Sequence, residues 1–139
     1  MKRKTVLTEQ QLLASAPGDY MNAEQLAFFR QRLLAMQTEL ISNARRTADE
    51  LKEAVVQSDP ADRATLEEEY ALELLTLERE HRLAAQIEAA LRRIDADAYG
   101  FCEDTGEPIG LARLLARPTA TRSIHAQERR EKLQKSFAD

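Results

Sequence analysis

Tryptophan is absent from this chain of 139 residues, phenylalanine and tyrosine together make up 5% of it, and cysteine occurs once. So few large rings exclude a thick globular core. They favour helices joined along narrow apolar seams, which also suits a content of 32% charged residues. The single thiol, Cys102, excludes an internal disulfide. No apolar stretch approaches the roughly 18 residues of a membrane span. The basic start, Met1-Lys2-Arg3-Lys4, is not followed by the apolar run of a secretory signal. A cytoplasmic protein with no membrane association is therefore expected. The net charge of −4 is the wrong sign for a general binder of phosphate backbones, so specific DNA binding is not expected either.

Glycine and proline are also scarce, and their placement divides the chain. Between Gly18 and Gly100 there is no glycine, and Pro60 is the only proline. That interval, rich in Ala, Leu, Glu, Arg and Gln, reads as two helices broken at Pro60. The first is predicted to start at Asn22, an N-cap with Gln25 completing a capping-box pattern. Its apolar residues Leu26, Phe29, Leu33, Met36 and Leu40 alternate steps of three and four, which is a heptad seam. The seam continues through Ala44, Ala48, Leu51 and Val55, where two steps of four predict a local unwinding of the supercoil. In the second helix Asp59 is the expected N-cap, Pro60 the first helical residue, and Asp62 lies in the first turn, where the helix dipole favours a carboxylate. Its seam runs Tyr70, Leu77, Ala84, Ile87, Leu91 and Ile94. Glu73 and Glu80 also fall on seam positions, so the middle should pack imperfectly or be flanked by Leu74 and Leu83.

Helices of this length joined by so short a turn must pack antiparallel, as a coiled-coil hairpin over 22–97 with its tip at 58–63. A three- or four-helix bundle is the alternative, but the terminal pieces are too short and polar to cover such a pair. Before the hairpin, 1–21 holds a short helix near Glu9–Ser15 and a linker, Ala16-Pro17-Gly18-Asp19. After it, Gly100, Gly106, Pro108, Gly110 and Pro118 mark a loop-rich module over 98–120, and a charged C-terminal helix occupies 121–139. The predicted fold class is mainly α.

No phosphate loop, nucleophile elbow or two-histidine helix motif is present, so no enzyme activity is expected. His81, within Glu78-Arg79-Glu80-His81-Arg82, reads as part of a solvated face. In the module, Cys102, Thr105, Ser123 and Ala126 have the spacing of a C-x2-C pair followed, after seventeen residues, by another. Zinc needs four Cys or His ligands, and only Cys102 is a thiol, with His125 off register. No bound zinc is therefore expected. The module should hold by packing of Phe101, Ile109, Leu111, Leu114, Leu115 and Ile124, with Cys102 as a small buried apolar residue. At the other end, Ser58-Asp59-Pro60-Ala61-Asp62-Arg63 is a capped helix break, but the run Glu67-Glu68-Glu69 beyond it makes an acidic tip that could reach into a narrow space.

These residues resemble the DksA/TraR family of bacterial RNA polymerase regulators from Pro17 to about Lys135. The resemblance is carried by Pro17-Gly18-Asp19-Tyr20-Met21-Asn22, Asp59-Pro60-Ala61-Asp62-Arg63-Ala64 and Glu67-Glu68-Glu69-Tyr70-Ala71-Leu72-Glu73-Leu74. It continues in Tyr99-Gly100-Phe101-Cys102, Ile109-Gly110 and Ala116-Arg117-Pro118-Thr119-Ala120. The chain departs from typical members in lacking three of four zinc-binding cysteines, so it resembles the zinc-independent branch. The resemblance implies a monomer whose hairpin enters the polymerase secondary channel. There, Asp59, Asp62 and Ala64 would destabilise promoter complexes, inhibiting ribosomal RNA promoters and activating some biosynthetic ones in the stringent response. The alarmone ppGpp would act as co-regulator at the polymerase interface, with Arg79, Leu83 and Arg117 on that face. Gln86 and Gln127 stand where well-known members carry lysine, which implies a weakened ppGpp response. A reading of another class is a coiled-coil scaffold or chaperone-like hairpin, which would not need carboxylates at its tip.

Overall fold

The computed structural model describes residues 6–57 and 63–138. In order these form α1 (Glu9–Leu13), a 3-10 turn (Pro17–Asp19), α2 (Ala23–Gln57), α3 (Arg63–Asp95), α4 (Leu111–Ala116) and α5 (Ile124–Ala138). The protein is mainly α, and α2 and α3 are long antiparallel helices as the uninterrupted helical composition requires. The predicted caps Asp59 and Pro60 lie outside the described residues. Among the described residues no helix is long and apolar enough to cross a membrane. The chain separates into two compact units. One combines the residues up to Leu33 with those from Ala89 onward, and the other is Leu34–Glu88.

In the first unit, Asn22 caps α2 as its residue type predicts, with Gln25 N–H donating to Asn22 Oδ1 at 2.9 Å. The reciprocal bond differs from the expected capping box. Gln25 Oε1 accepts from Met21 N–H at 2.9 Å, because Met21 sits at φ 56° and turns its amide toward the helix start. Phe29 and Leu33 on α2 meet the expected burial, both fully covered, and Ile94 on α3 is 5% exposed. Arg30 on α2 pairs with Asp95 at the end of α3, and Arg32 pairs with Glu9 at 2.7 Å. Leu12, fully buried, seats α1, which packs on α4.

α3 ends in a Schellman motif. Asp97 takes the left-handed conformation at φ 56°, and Ala98 N–H donates to Arg93 O at 2.9 Å while Asp97 N–H donates to Ile94 O at 3.2 Å. The Arg93 guanidinium then donates to Ala98 O at 3.0 Å and Phe101 O at 2.8 Å, fixing the exit of the chain. Gly100 follows at φ 90°, and a Cβ there would lie 2.6 Å from both Cγ and Sδ of Met21. Both the backbone angle and the close approach require glycine.

In the unit Leu34–Glu88, the seam residues Met36, Leu40, Ala44, Ala48 and Leu51 of α2 are half-buried, as are Leu77 and Ala84 of α3, and Ile87 is fully buried. The side chain of Val55 lies outside the described residues. Tyr70 departs from the predicted seam. It is 44% exposed, and the half-buried Leu66, four residues earlier, takes the inward position. Glu73 and Glu80 are half-buried on the seam, and Glu80 Oε2 is buried with no hydrogen-bond partner among the described residues. Of the two flanking leucines, Leu83 is half-buried while Leu74 is 42% exposed.

Gly100→Ala is expected to destabilise the protein by about 1–3 kcal/mol, since it combines left-handed strain with displacement of Met21. Thermal unfolding followed by circular dichroism checks this, with Gly18→Ala, which meets nothing within 4 Å, as the tolerated control.

Candidate functional site

The module between α3 and α5 is built on a tight loop. Phe101 and Pro108 form an isolated antiparallel bridge. Cys102 N–H donates to Glu107 O at 2.7 Å, Gly106 N–H to Cys102 O at 2.8 Å, and Ile109 N–H to Gly100 O at 2.8 Å. Two tyrosines tie this loop to its surroundings. Tyr20 Oη donates to Gly100 O at 2.5 Å and accepts from Gly110 N–H at 2.9 Å, while its ring meets Phe101 edge-on at 5.5 Å. Tyr99, 1% exposed, donates to Pro118 O at 2.7 Å and packs on Phe29 at 5.5 Å between centroids. Burial pushes the pKa of both hydroxyls up, so each stays protonated and able to donate.

The module core is Tyr99, Cys102, Ile109, Leu114, Ala120 and Ala126. Ile109 and Leu114 belong to the predicted packing set, whereas Phe101, Leu111 and Leu115 are only half-buried. Ile124, also predicted to be inside, is 53% exposed, because the helix it begins turns Ala126 inward instead. Tyr99 is the largest residue that the sequence reading left out of the core. The signal available for it was a tyrosine directly before the Gly100 turn.

Cys102, Ser123 and Ala126 are 3%, 8% and 2% exposed, and Thr105 is on the surface. Burial pushes the Cys102 thiol up. The Thr105 hydroxyl, with backbone hydrogen bonds from Ser123, Asp104 and Thr105, outweighs that effect and pulls it down to about 6 from an ordinary 9.0. Cys102 is thus the small buried residue expected, in surroundings that favour its ionised form. Ser123 Oγ accepts from Ala126 N–H at 3.2 Å, serving the start of α5. The four positions therefore offer one thiolate, an exposed hydroxyl, a hydroxyl already engaged and a methyl group. These do not fit zinc, which takes four Cys or His donors in such a module. Among the described residues, no three His, Cys, Asp or Glu side chains gather as a metal site.

Ion pairs join the two segments instead. Arg122, next to Ser123, pairs with Glu103 and, at 3.2 Å, with Asp104, which also accepts from Arg130 at 3.2 Å. Glu103 N–H donates to Thr121 O at 2.8 Å, and Arg113 Nε to Arg122 O at 2.9 Å. Sequence reading missed this clamp, although Glu103-Asp104 and Arg122 flank the positions that it did single out.

Comparison with known proteins places the chain. Residues 25–94 match the family described as DnaK suppressor protein DksA, N-terminal domain, and residues 98–132 match the prokaryotic dksA/traR C4-type zinc finger. The chain belongs to the DksA family. It is 47% identical over 141 residues, covering 100% of this chain and 99% of the relative, to the RNA polymerase-binding transcription factor DksA of Caulobacter vibrioides. To the protein of that name in Escherichia coli K12 it is 41% identical over 124 residues, covering 88% of this chain and 82% of the relative. The solved structure of transcription factor DksA2 from Pseudomonas aeruginosa superposes with a TM-score of 0.86 at 45% identity, over 92% of this chain and 99% of that one. With a single cysteine in a module of C4 type, the chain falls in the cysteine-poor branch of the DksA family.

The residues that the DksA resemblance singled out are distributed as follows. Asp59 and Asp62 lie outside the described residues, and Ala64 is in the first turn of α3 with its side chain likewise outside them. Arg79 and Gln86 are exposed on α3 and Leu83 is half-buried, all within Leu34–Glu88. In the other unit, Arg117 is exposed at the end of α4, and half-buried Gln127 donates from its amide to Glu131 at 3.2 Å. His81 and His125 are both exposed.

The thiolate has a measurable consequence. Because the folded chain keeps Cys102 ionised down to about pH 6 and the unfolded chain protonates near pH 9, unfolding between these values takes up a proton. The stabilisation by Cys102 is complete above about pH 9 and is lost as pH falls through 6. The melting-temperature advantage of wild type over Cys102→Ala should therefore shrink from pH 9 to pH 6, and thiolate absorbance at 240 nm should titrate near the lower value.

Proposed function

We propose that this protein binds RNA polymerase through the secondary channel, as a monomer in the cytoplasm, and destabilises promoter complexes together with ppGpp, without zinc. The observation that carries the reading is the end-to-end match to a polymerase-binding transcription factor, 47% identical over the full chain. The polymerase is therefore the partner, and the α2–α3 turn is the part that enters it. Asp59, Asp62 and Ala64 act at that tip. By residue type Asp59 also suits the expected helix cap, whereas that expected cap does not call for Asp62, so its carboxylate is the residue on which the activity rests. The donor set at 102, 105, 123 and 126 supports the zinc-free part of the proposal, since it leaves the module to its hydrogen bonds and ion pairs.

The effect on transcription is one of coupled equilibria. A factor that favours an earlier promoter intermediate over the open complex by ~1.4 kcal/mol shifts their ratio about tenfold. Promoters with short-lived open complexes, such as those for ribosomal RNA, are the most affected, and some biosynthetic promoters are activated in the stringent response. Arg79, Leu83 and Arg117 contribute to the polymerase and ppGpp face. A lysine at 86 or 127 would offer a charge-assisted bond to phosphate that the glutamines at those positions cannot.

Asp62→Asn keeps the shape and removes the charge. It is expected to abolish most inhibition of a ribosomal RNA promoter in vitro while leaving helicity and polymerase binding intact. Inhibition at full strength would refute the tip mechanism. In the same assay ppGpp should strengthen the wild-type protein only partly, and Gln86→Lys with Gln127→Lys should raise that response by about tenfold. An equal response from both proteins would show that the glutamines do not limit it.

A further inference from the structure

α1 is a helix of five residues, too short to persist in water unaided. Its own sequence closes its first turn. Thr8 Oγ1 accepts from Gln11 N–H at 3.1 Å, and Gln11 Oε1 accepts from Thr8 N–H at 3.0 Å. Glu9 pairs with Arg32 of α2 at 2.7 Å, and the Arg32 guanidinium lies over the Phe28 ring, 4.9 Å from its centre. Leu12 is fully buried between two exposed neighbours, Gln11 and Leu13, while α1 packs on α4. α1, α4 and this part of α2 belong to one compact unit. α1 precedes the residues matched by either family model, at 25–94 and 98–132.

α4 is nearly as short, with six residues, and it starts at Gly110, which offers no side-chain cap. Neither length nor capping sustains such a helix, so its place is set by what packs on it. Leu114 is fully buried, and Arg113 Nε donates to Arg122 O at 2.9 Å, which ties one side of α4 to the segment before α5. α1 holds α4 as well. The helix ends at Arg117, whose N–H donates to Arg113 O at 2.8 Å and whose side chain is exposed. Whatever fixes α4 therefore also fixes where the Arg117 guanidinium starts from. We infer that Leu12 is a positioning residue that acts through α4 on Arg117, a role that rests on the placing of Arg117 on the polymerase face under Proposed function. α1 is then a strap. Its Glu9 end is anchored on α2, and its Leu12 end presses on the module, so that the start of α2 and Arg117 are held in one fixed relation.

Polymerase affinity, measured by competition, tests this with Leu12→Ser, Arg117→Ala, the two combined, and Leu13→Ser as control. Leu13 is 56% exposed on the same helix, and its variant should bind as wild type. Leu12→Ser and Arg117→Ala are each expected to bind about tenfold more weakly, and the combination also about tenfold rather than the roughly hundredfold of independent sites. Amide hydrogen exchange in Leu12→Ser should quicken over 111–117 while the last turns of α3 stay protected. An additive loss in the combination overturns the assignment, because a merely structural role would weaken binding whether or not Arg117 is present. Unchanged binding by Leu12→Ser overturns it too. Leu12→Ala, a milder change, is measured in parallel by thermal unfolding. If both Leu12 variants lose the cooperative transition of the wild type, Leu12 belongs to the common core and the assignment fails. Full-strength binding by Arg117→Ala removes Arg117 from the polymerase face and the assignment with it. Failure of wild type itself to bind polymerase refutes the underlying reading instead, so the two failures are distinct.

Discussion

The ion pairs of Arg122 with Glu103 and Asp104 join the segment around Cys102 to the start of α5, the two segments that hold the cysteine positions of a C4-type module. Four zinc bonds contribute about 10–16 kcal/mol of binding free energy in small zinc-finger peptides. Partly exposed ion pairs contribute only about 0–1 kcal/mol each, so they cannot replace such a metal alone. The remainder comes from surface buried around them. Tyr99 and Leu114 are almost fully covered, and the hydroxyls of Tyr20 and Tyr99 hold backbone carbonyls that a metal-centred loop would fix indirectly. The ion pairs align the two segments, and the aromatic packing supplies most of the stability.

Cys102 illustrates how a ligand position can be reused. The Thr105 hydroxyl and backbone groups of Ser123, Asp104 and Thr105 favour its ionised form. Ser123 Oγ accepts from Ala126 N–H at the start of α5. A chain with one cysteine still matches the zinc-finger family over residues 98–132.

In the helix pair, packing is weakest where Glu73 and Glu80 stand on the seam. A buried carboxylate oxygen without a partner is costly, and Glu80 keeps one. The same stretch turns Tyr70 and Leu74 outward. Carboxylates inside and apolar residues outside reverse the arrangement that would maximise the stability of an isolated coiled coil.

Much of this was legible in the sequence. The glycine-free interval and its heptad steps determined two long antiparallel helices, because helix propensity and a period of 3.5 act locally and need no distant contacts. Asn22 as the cap of α2, the burial of Phe29, Leu33, Ile87 and Ile94, and the poor zinc donor set could be read in the same way. Tertiary structure alone decided that Tyr70 faces outward and Leu66 inward, that Ile124 is exposed while Tyr99 fills the module, and that the surroundings of Cys102 lower its pKa. It alone paired Arg122 with Glu103 and Asp104, nearly twenty residues away. These outcomes depend on which side chains from distant parts of the chain arrive at one place, and neither spacing nor composition encodes such encounters.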